Sequence, residues 1–146
     1  MFVNSFSGVP LVHMLDDGRA VQLAEAFGFC DSRGREWWGS KGDIANGTSY
    51  PRCLWSVSGG PWSTKSRWPA ILHDIFCGKK TRTWQDTHRM FGEAVRVAWG
   101  VDDISRATLE FNAVWMRGPR WNPDGSAMVP INWDGDWFFN EDMGGG

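Results

Sequence analysis

Two histidines and a carboxylate in the middle of the chain are the residues best suited to chemistry. His73 and Asp74 are adjacent, and His88 follows later in the same stretch. Two imidazoles and one carboxylate suit the first shell of a Zn²⁺ ion and leave one position for water. Zinc lowers the pKa of such a water toward neutrality and so supplies a hydroxide for hydrolysis. We therefore predict His73, Asp74 and His88 as candidate metal ligands, with zinc as the candidate cofactor.

A polar loop before the histidines offers further side chains for the same pocket. Its sequence, Asn-Gly-Thr-Ser at 46–49, consists of residues that favour turns and caps. We expect Asn46 and Ser49 to converge with His73, Asp74 and the second histidine on one site, and to position a substrate there. Ser49 and Asp74 are the candidate catalytic residues, although the Gly-x-Ser-x-Gly pattern of a nucleophile elbow is absent. The predicted binding pocket comprises Asn46, Ser49, Arg52, His73, Asp74 and His88.

Each of these residues also has a purely structural interpretation. A histidine between two helices is more often a hydrogen-bonded core residue than a ligand, and the sequence has no standard zinc signature. The loop residues could simply close a turn through side-chain hydrogen bonds. The sequence leaves both interpretations open. It contains no phosphate-binding glycine motif, so no nucleotide site is predicted.

The hydrophobic pattern after Ser66 predicts three helices that would position these side chains. Apolar residues recur at a helical period near 66–77, 84–99 and 103–117. Ser66 suits the start of the first helix and Gly78 its end, while Thr83 suits the start of the second. Packed side by side, the first two helices would bring their histidines together. The predicted buried faces are Trp68, Ile71, Leu72, Ile75 and Phe76, then Phe91, Val95 and Ala98, then Ile104, Ala107, Thr108, Phe111 and Trp115.

Short strands are predicted before the helices. Residues 9–15 are rich in β-compatible side chains, and Asp-Asp-Gly at 16–18 is a strong turn signal. Propensity alone would allow a short helix over 20–27, but the turn before it favours a hairpin, which we predict. A second turn at 31–34 leads to a third strand at 35–39. The predicted fold class is α+β, with a small N-terminal antiparallel hairpin or sheet packed on three helices.

Tryptophan is unusually abundant, with 11 residues in a chain of 146. Because they are spread along the chain, they suit a core and subunit interfaces better than a single sugar-binding platform, which composition leaves open. We predict one domain over 1–121 and an irregular, aromatic C-terminal extension over 122–146. The segment from Trp121 to Phe139 should be ordered by contact, because burial of its aromatic side chains offsets the entropy of ordering.

Charge and cysteine content narrow the classes of function. A net charge of -2 without a basic face gives no reason to expect nucleic-acid binding. No apolar run has the length needed to span a bilayer, so no membrane span is predicted. Cys30, Cys53 and Cys77 are spaced for neither a disulfide framework nor a Cys-x-x-Cys metal site, and we predict buried free thiols.

Four short motifs follow one another between residues 45 and 118. They are Ala-Asn-Gly-Thr-Ser-Tyr-Pro-Arg at 45–52, Leu-His-Asp at 72–74, Thr-His-Arg-Met-Phe at 87–91 and Asn-Ala-Val-Trp-Met-Arg-Gly at 112–118. In this order they resemble a bacteriophage and prophage family, the domain of unknown function 1353, whose loop reads Thr-Asp-Gly-Ala-Ser-Val-Pro-Arg. The resemblance covers about residues 9–121. Where the family pattern has aspartate, this chain has Asn46 and His88.

The resemblance implies a phage origin and a late-gene context more than a reaction. With the tryptophan-rich composition, it predicts a virion-associated structural or adaptor protein of a tail or another assembly. Such a protein would be made in the host cytoplasm and would join other virion proteins in an oligomeric assembly. The alternative is a small metal-dependent hydrolase of bacterial cell-wall material. If the family site binds a cation, Asn46 and His88 would shift its preference from Ca²⁺ or Mg²⁺ to Zn²⁺.

Overall fold

Six short strands form the N-terminal part of the structure, a computed structural model that describes residues 2–55, 60–130 and 137–139. All of their pairings are antiparallel, and they build two three-stranded sheets in the orders β1-β4-β5 and β2-β3-β6. The N-terminal antiparallel sheet predicted from the sequence is therefore confirmed, in two parts. The strands are β1 (Ser5–Phe6), β2 (Val12–Met14), β3 (Val21–Leu23), β4 (Phe27–Cys30), β5 (Glu36–Gly39) and β6 (Ile44–Ala45).

The first hairpin confirms the turn predicted at Asp-Asp-Gly. Met14 of β2 lies opposite Val21 of β3, and the Asp17 carboxylate accepts the backbone amides of Arg19 and Ala20 at 2.8 and 2.9 Å. Gly18 has a φ of +69°, a conformation that glycine adopts without steric cost. The helix that propensity allowed over 20–27 does not form, because this segment pairs as strands on both sides of a bend.

Three helices follow, α1 (Arg67–Lys79), α2 (Trp84–Trp99) and α3 (Ile104–Arg117), and they confirm the three predicted segments. The Thr83 hydroxyl accepts the Asp86 amide at 3.1 Å, as expected of an N-cap. The prediction that Gly78 ends α1 is wrong. The helix continues through Lys79 and ends at Lys80, which takes the left-handed conformation with a φ of +54°.

The core lies between the strands and the helices. Its largest cluster includes Phe27, Phe29 and Trp37 from the strands and Leu72 and Ile75 from α1. Most of the predicted helical faces are buried, and α2 packs against both other helices. These contacts hold α1 and α2 side by side, which is the arrangement that the candidate site requires.

The predicted buried face of α3 is partly wrong. Ile104 is 48% exposed and Thr108 is exposed, whereas Glu110 and Val114 are fully buried. The Glu110 carboxylate accepts hydrogen bonds from Tyr50 and Trp99, both at 3.0 Å, and from the Ser66 hydroxyl. This network turns Glu110 inward. It also explains why the Ser66 side chain does not cap α1.

One of the three cysteines differs from the prediction of buried thiols. Cys53 is exposed and lies on a short 3-10 turn at Arg52–Leu54, while Cys30 and Cys77 are buried; all three are free thiols.

The described part of the predicted C-terminal extension contains one pair of strands. Strands β7 (Met128–Pro130) and β8 (Trp137–Phe139) pair with each other where an irregular segment was predicted. Trp121 is buried and donates to the Arg82 carbonyl at 2.9 Å. The predicted contacts of the aromatic side chains after Trp121 fall on residues whose side chains the structure does not describe. The domain boundary at 121 stays a prediction.

Candidate functional site

The two predicted histidines meet between α1 and α2. His73 Nε2 lies 2.9 Å from His88 Nδ1, and the rings are 5.0 Å apart between centroids. Residues 80–83 form the connection between the helices, which is short enough to keep them neighbours. Both side chains are buried, with 1% of His73 and none of His88 exposed. The prediction that the two imidazoles approach each other is therefore confirmed.

Ser49 extends this contact into a chain of three side chains. Its Oγ lies 3.1 Å from His73 Nδ1, the ring nitrogen that does not face His88. One assignment of protons satisfies both contacts of the chain. The Ser49 hydroxyl donates to His73 Nδ1, and His73 Nε2–H donates to His88 Nδ1. His88 then carries its own proton on Nε2.

Asp74 anchors the loop that carries Ser49. Its carboxylate oxygens accept the backbone amides of Asn46 at 2.8 Å and of Ser49 at 3.1 Å. The Asn46 side chain turns back on its own loop, where its carbonyl oxygen accepts the amide and the hydroxyl of Thr48 at 3.0 and 2.7 Å. The five predicted residues thus do come together. Asp74 and Asn46 shape the loop, while Ser49 and the histidines form the chain of side-chain contacts.

Cys77 is the residue that the sequence analysis missed. It lies one helical turn after His73 on α1, and its Sγ is 3.5 Å from His73 Nε2. Within the described part of the chain, His73, Cys77 and His88 are the group of three whose ligand atoms all lie within 4.8 Å of one another. The sequence was considered only for disulfide and Cys-x-x-Cys spacings, and Cys77 belongs to neither. The signal was the His-x-x-x-Cys spacing, which places both side chains on one face of a helix.

An aromatic shell surrounds the buried end of the site. The ring centroids of Trp84, Trp121 and Trp115 lie 5.6, 6.2 and 6.4 Å from that of His88. Among the described residues, His88 Nε2 has no hydrogen-bond partner; the Pro119 carbonyl faces it without reaching full hydrogen-bonding geometry. This end of the site is therefore lined by aromatic rings, and it holds one polar atom whose hydrogen bond is incomplete.

Burial keeps both imidazoles neutral at pH 7. It lowers the pKa of His73 well below its usual value, and the neighbouring His88 acts in the same direction. Burial also lowers the pKa of His88, to about 4, although the Pro119 carbonyl opposes the shift. Burial and the nearby Asp74 charge raise the pKa of the Cys77 thiol well above its usual value. The site is thus a set of uncharged donors and acceptors in an apolar environment.

The opposite end of the site opens into a cleft of about 760 Å³. Ser49, Asp74 and Cys77 line it, whereas the two histidines lie behind them. Four basic residues contribute to its walls: Lys79, Lys80, Arg117 and Arg120. Of the two carboxylates there, Asp43 pairs with Lys79 at 2.7 Å and Asp74 holds the loop amides. The cleft therefore presents more positive than negative charge.

Arg52 lies beside Ser49 but does not contact the histidines. It lines a second cavity of about 430 Å³ together with Ser49 and Arg117. Its guanidinium stacks on the Trp55 ring at 5.1 Å from the centroid, and its side chain is exposed. The structure thus places the predicted pocket residue Arg52 at the rim of the site.

A family model described as "Protein of unknown function (DUF1353)" matches residues 21–114, a span that includes Ser49 and both histidines. The chain belongs to this family. Two proteins of Sinorhizobium fredii (strain NBRC 101917 / NGR234) are similar to it. Uncharacterized protein y4iH is 35% identical over 119 residues, covering 81% of this chain and 49% of its own length. Uncharacterized protein y4jT is 36% identical over 122 residues, covering 82% and 36%.

This chain therefore spans about half or less of the length of the curated relatives that it matches. No solved structure was found to match the chain. None of the described helices is long and apolar enough to cross a membrane.

Proposed function

We propose that this DUF1353 protein is a hydrolase in which Ser49 is the nucleophile and His73 the general base. The observation that supports the proposal is the hydrogen-bonded chain from Ser49 through His73 to His88, which meets the cleft at Ser49. A hydroxyl within reach of a base, which a third group orients, is the arrangement of nucleophilic catalysis. Neither the loop nor α1 would need to move for this contact to act.

The geometry supports the following sequence of proton movements. His73 Nδ1 takes the Ser49 proton as Oγ attacks a substrate carbonyl carbon and forms the oxygen–carbon bond. The same nitrogen then gives the proton to the leaving group as its bond to that carbon breaks. Water, activated by His73 in the same way, releases the acyl group and restores the serine. His88 keeps His73 in the tautomer whose Nδ1 lone pair faces Ser49.

The charge of the cleft favours an acyl substrate that carries a carboxylate. Arg117 lines both cavities next to Ser49, and Lys80 and Arg120 extend the basic wall. A guanidinium binds a carboxylate through two parallel hydrogen bonds, which fixes the orientation as well as the position of a substrate. Peptides of bacterial cell-wall material carry such groups, so the expected cell-wall substrate class fits this proposal.

An assay with a matched serine control tests the proposal. Chelator-treated protein would be incubated with acyl esters, with and without a carboxylate, and with cell-wall peptides. We expect turnover that falls by about 10³-fold or more in Ser49→Ala and is unchanged in Ser40→Ala, an exposed serine outside the site. Arg117→Ala should raise KM for the carboxylate-bearing ester alone. Equal turnover in Ser49→Ala and the parent protein would contradict the proposal.

The expected role as a virion-associated assembly component stands as a second proposal. The observation that favours it is strand β2, which pairs only with β3 among the described strands. Val12 and Met14 are 40% and 60% exposed on it, and Leu11, just before it in the chain, is 52% exposed. An unpaired apolar edge is a template for another strand. We propose a second copy of this chain as its partner.

Sedimentation of the purified chain tests this second role separately. We expect the parent protein to self-associate and the double variant Val12→Lys, Met14→Lys to sediment as a monomer, because charged side chains oppose pairing at a sheet edge. The same double change at the exposed positions Val97 and Val101, away from β2, is the control. A parent protein that stays monomeric at all concentrations would contradict self-assembly without affecting the hydrolase proposal.

A further inference from the structure

We infer that His73, Cys77 and His88 form a zinc site whose occupation switches Ser49 off. The metal site uses the same two imidazoles as the proposed hydrolysis, but it rests on Cys77 and would survive if Ser49 had no activity, whereas its effect on Ser49 rests on the proposed function. The ligand atoms are His73 Nε2, His88 Nδ1 and Cys77 Sγ, which all lie within 4.8 Å of one another. They form a different set from the His-His-Asp set expected from the sequence, since Asp74 is engaged by the loop.

The distances suit a tetrahedral ion. Zinc bonds of about 2.0–2.1 Å to nitrogen and about 2.3 Å to sulfur place two ligands of one ion roughly 3.3–3.6 Å apart. The Cys77 Sγ to His73 Nε2 distance of 3.5 Å falls in this range. The two nitrogens, at 2.9 Å, need to separate by only about half an ångström. The third pair, Cys77 Sγ and His88 Nδ1, lies within 4.8 Å, so the thiol has to approach His88 by up to about 1.2 Å to reach the N–S separation of one ion. Both shifts are within the freedom of side chains on neighbouring helices.

The surrounding groups suit metal-bound imidazoles. A histidine that binds a metal through one nitrogen usually donates the proton of the other to an oxygen. His73 Nδ1–H would donate to Ser49 Oγ, which lies 3.1 Å away. His88 Nε2 is buried without a complete hydrogen bond, and the Pro119 carbonyl is the acceptor beside it. Each ring therefore has an oxygen near the nitrogen that would not bind the metal.

The chemistry of the ligands selects the metal. Two imidazoles and a thiolate are the borderline-soft set that Zn²⁺ and Co²⁺ prefer, whereas Ca²⁺ and Mg²⁺ require oxygen ligands. Cys77 lines the cleft, which gives an ion a route to the site and an open fourth position. Deprotonation of the thiol on binding supplies the negative charge that offsets the ion in this apolar environment.

Zinc and the nucleophile use the same histidine in incompatible ways. A metal on His73 Nε2 requires the proton on Nδ1, which then points at Ser49 as a donor. The Ser49 hydroxyl consequently loses the acceptor that would take its proton. In the zinc-bound protein, Ser49 should therefore be unreactive as a nucleophile.

Metal titration of a background variant tests the inference without using turnover. Cys53→Ser and His13→Ala remove an exposed thiol and an exposed imidazole that could hold metal adventitiously. In this untagged background we expect one zinc per chain by elemental analysis. Cobalt should give a thiolate-to-metal charge-transfer band in the near ultraviolet and the visible bands of a tetrahedral ion. Cys77→Ser should lose both, and Cys30→Ser, which changes a buried thiol outside the group, should keep both.

The outcomes separate this inference from the proposed hydrolysis. Ser49→Ala should still bind one zinc, weakened by about 10–100-fold at most because Ser49 only supports a ligand. If Cys77→Ser does not fold, the cobalt spectrum of the background protein decides. A spectrum without the thiolate band, or equal zinc binding with and without Cys77, would overturn the inference. A zinc site in a protein that shows no turnover even after the metal is removed by chelation would refute the hydrolase alone.

Discussion

At the scale of the residue, the position of Ser49 depends on the Asp74 carboxylate. Asp74 is 8% exposed and accepts two amides of the loop, one of them from Ser49 itself. A hydrogen bond to a charged group contributes about 1.5–3 kcal/mol, and losing one leaves a buried amide without a partner. Asp74 therefore contributes to both stability and the geometry of the nucleophile.

Replacing Asp74 with asparagine tests this dependence. An amide side chain can accept only one of the two hydrogen bonds and directs its NH₂ group at the other amide. We expect Asp74→Asn to lower the free energy of unfolding by about 1–3 kcal/mol, measured by urea denaturation. Asp17→Asn is the control, because Asp17 is exposed and accepts both of its turn amides on Oδ1, an oxygen that asparagine retains. Equal losses in both variants would show that the two-oxygen contact of Asp74 with the loop is unimportant.

The two buried histidines predict how stability depends on pH. Their pKa values are lowered in the folded state, to about 4 for His88, while an unfolded histidine titrates near pH 6.5. Below about pH 6.5 the unfolded chain therefore binds more protons than the folded one, so stability falls as the pH falls. The loss should approach about 1.4 kcal/mol per pH unit for each histidine. Above about pH 7 the histidines are neutral in both the folded and the unfolded state, so their contribution to stability no longer changes with pH.

Urea denaturation between about pH 7.5 and 5 measures this slope, in a range above the titration of most carboxylates. The groups facing the pair are Cys77, Ser49 and Arg120, and none of them loses a charge there. His88→Gln should reduce the slope of stability against pH to the part that His73 contributes. His13→Gln, a change at an exposed position, should leave the slope unchanged. A parent protein whose stability is constant over this range would show that the imidazoles are not held neutral.

At the scale of the element, close packing of α2 on α3 requires a glycine. A Cβ at Gly92 would overlap the ring of Phe111, whereas a Cβ at Gly78 would meet no atom within 4 Å. Both glycines lie inside helices, where alanine is favoured over glycine by about 0.8–1.0 kcal/mol. The same substitution should therefore have opposite effects at the two positions.

Thermal unfolding of the two alanine variants checks this contrast. Gly78→Ala should raise Tm, because only the gain in helix propensity applies. Gly92→Ala should lower Tm, because overpacking costs about 1–3 kcal/mol and exceeds that gain. If Gly92→Ala were the more stable variant, α2 and α3 would have to be further apart than the structure places them.

The elements themselves were largely predictable from sequence, and the exceptions have physical causes. Turn residues and the helical period located the first hairpin and all three helices within a few residues, because those signals are local. Local signals also assigned Gly78 to a helix end, although the chain turns at Lys80 instead. The buried face of α3 was mispredicted because Glu110 is drawn inside by Tyr50, Ser66 and Trp99, which are distant in sequence.

At the scale of the whole molecule, the site is formed by segments of the chain that are distant in sequence. The loop before the helices supplies Ser49, α1 supplies His73 and Cys77, and α2 supplies His88. The sequence predicted that loop and histidines would converge, since each needed a polar partner. It did not reveal which atoms meet, so Asp74 was assigned to a metal and Cys77 to the core. Those assignments depend on side-chain directions that only the packed fold determines.

The proposed hydrolysis requires that His73 activates Ser49 in the packed fold. A fluorophosphonate, which reacts only with activated serines, tests it when the adduct is located by peptide mass spectrometry on chelator-treated protein. We expect an adduct on Ser49 that forms far more slowly in the folded His73→Gln variant and is absent in Ser49→Ala. A folded parent protein that gains no adduct on Ser49, or gains one at the same rate without His73, would contradict it.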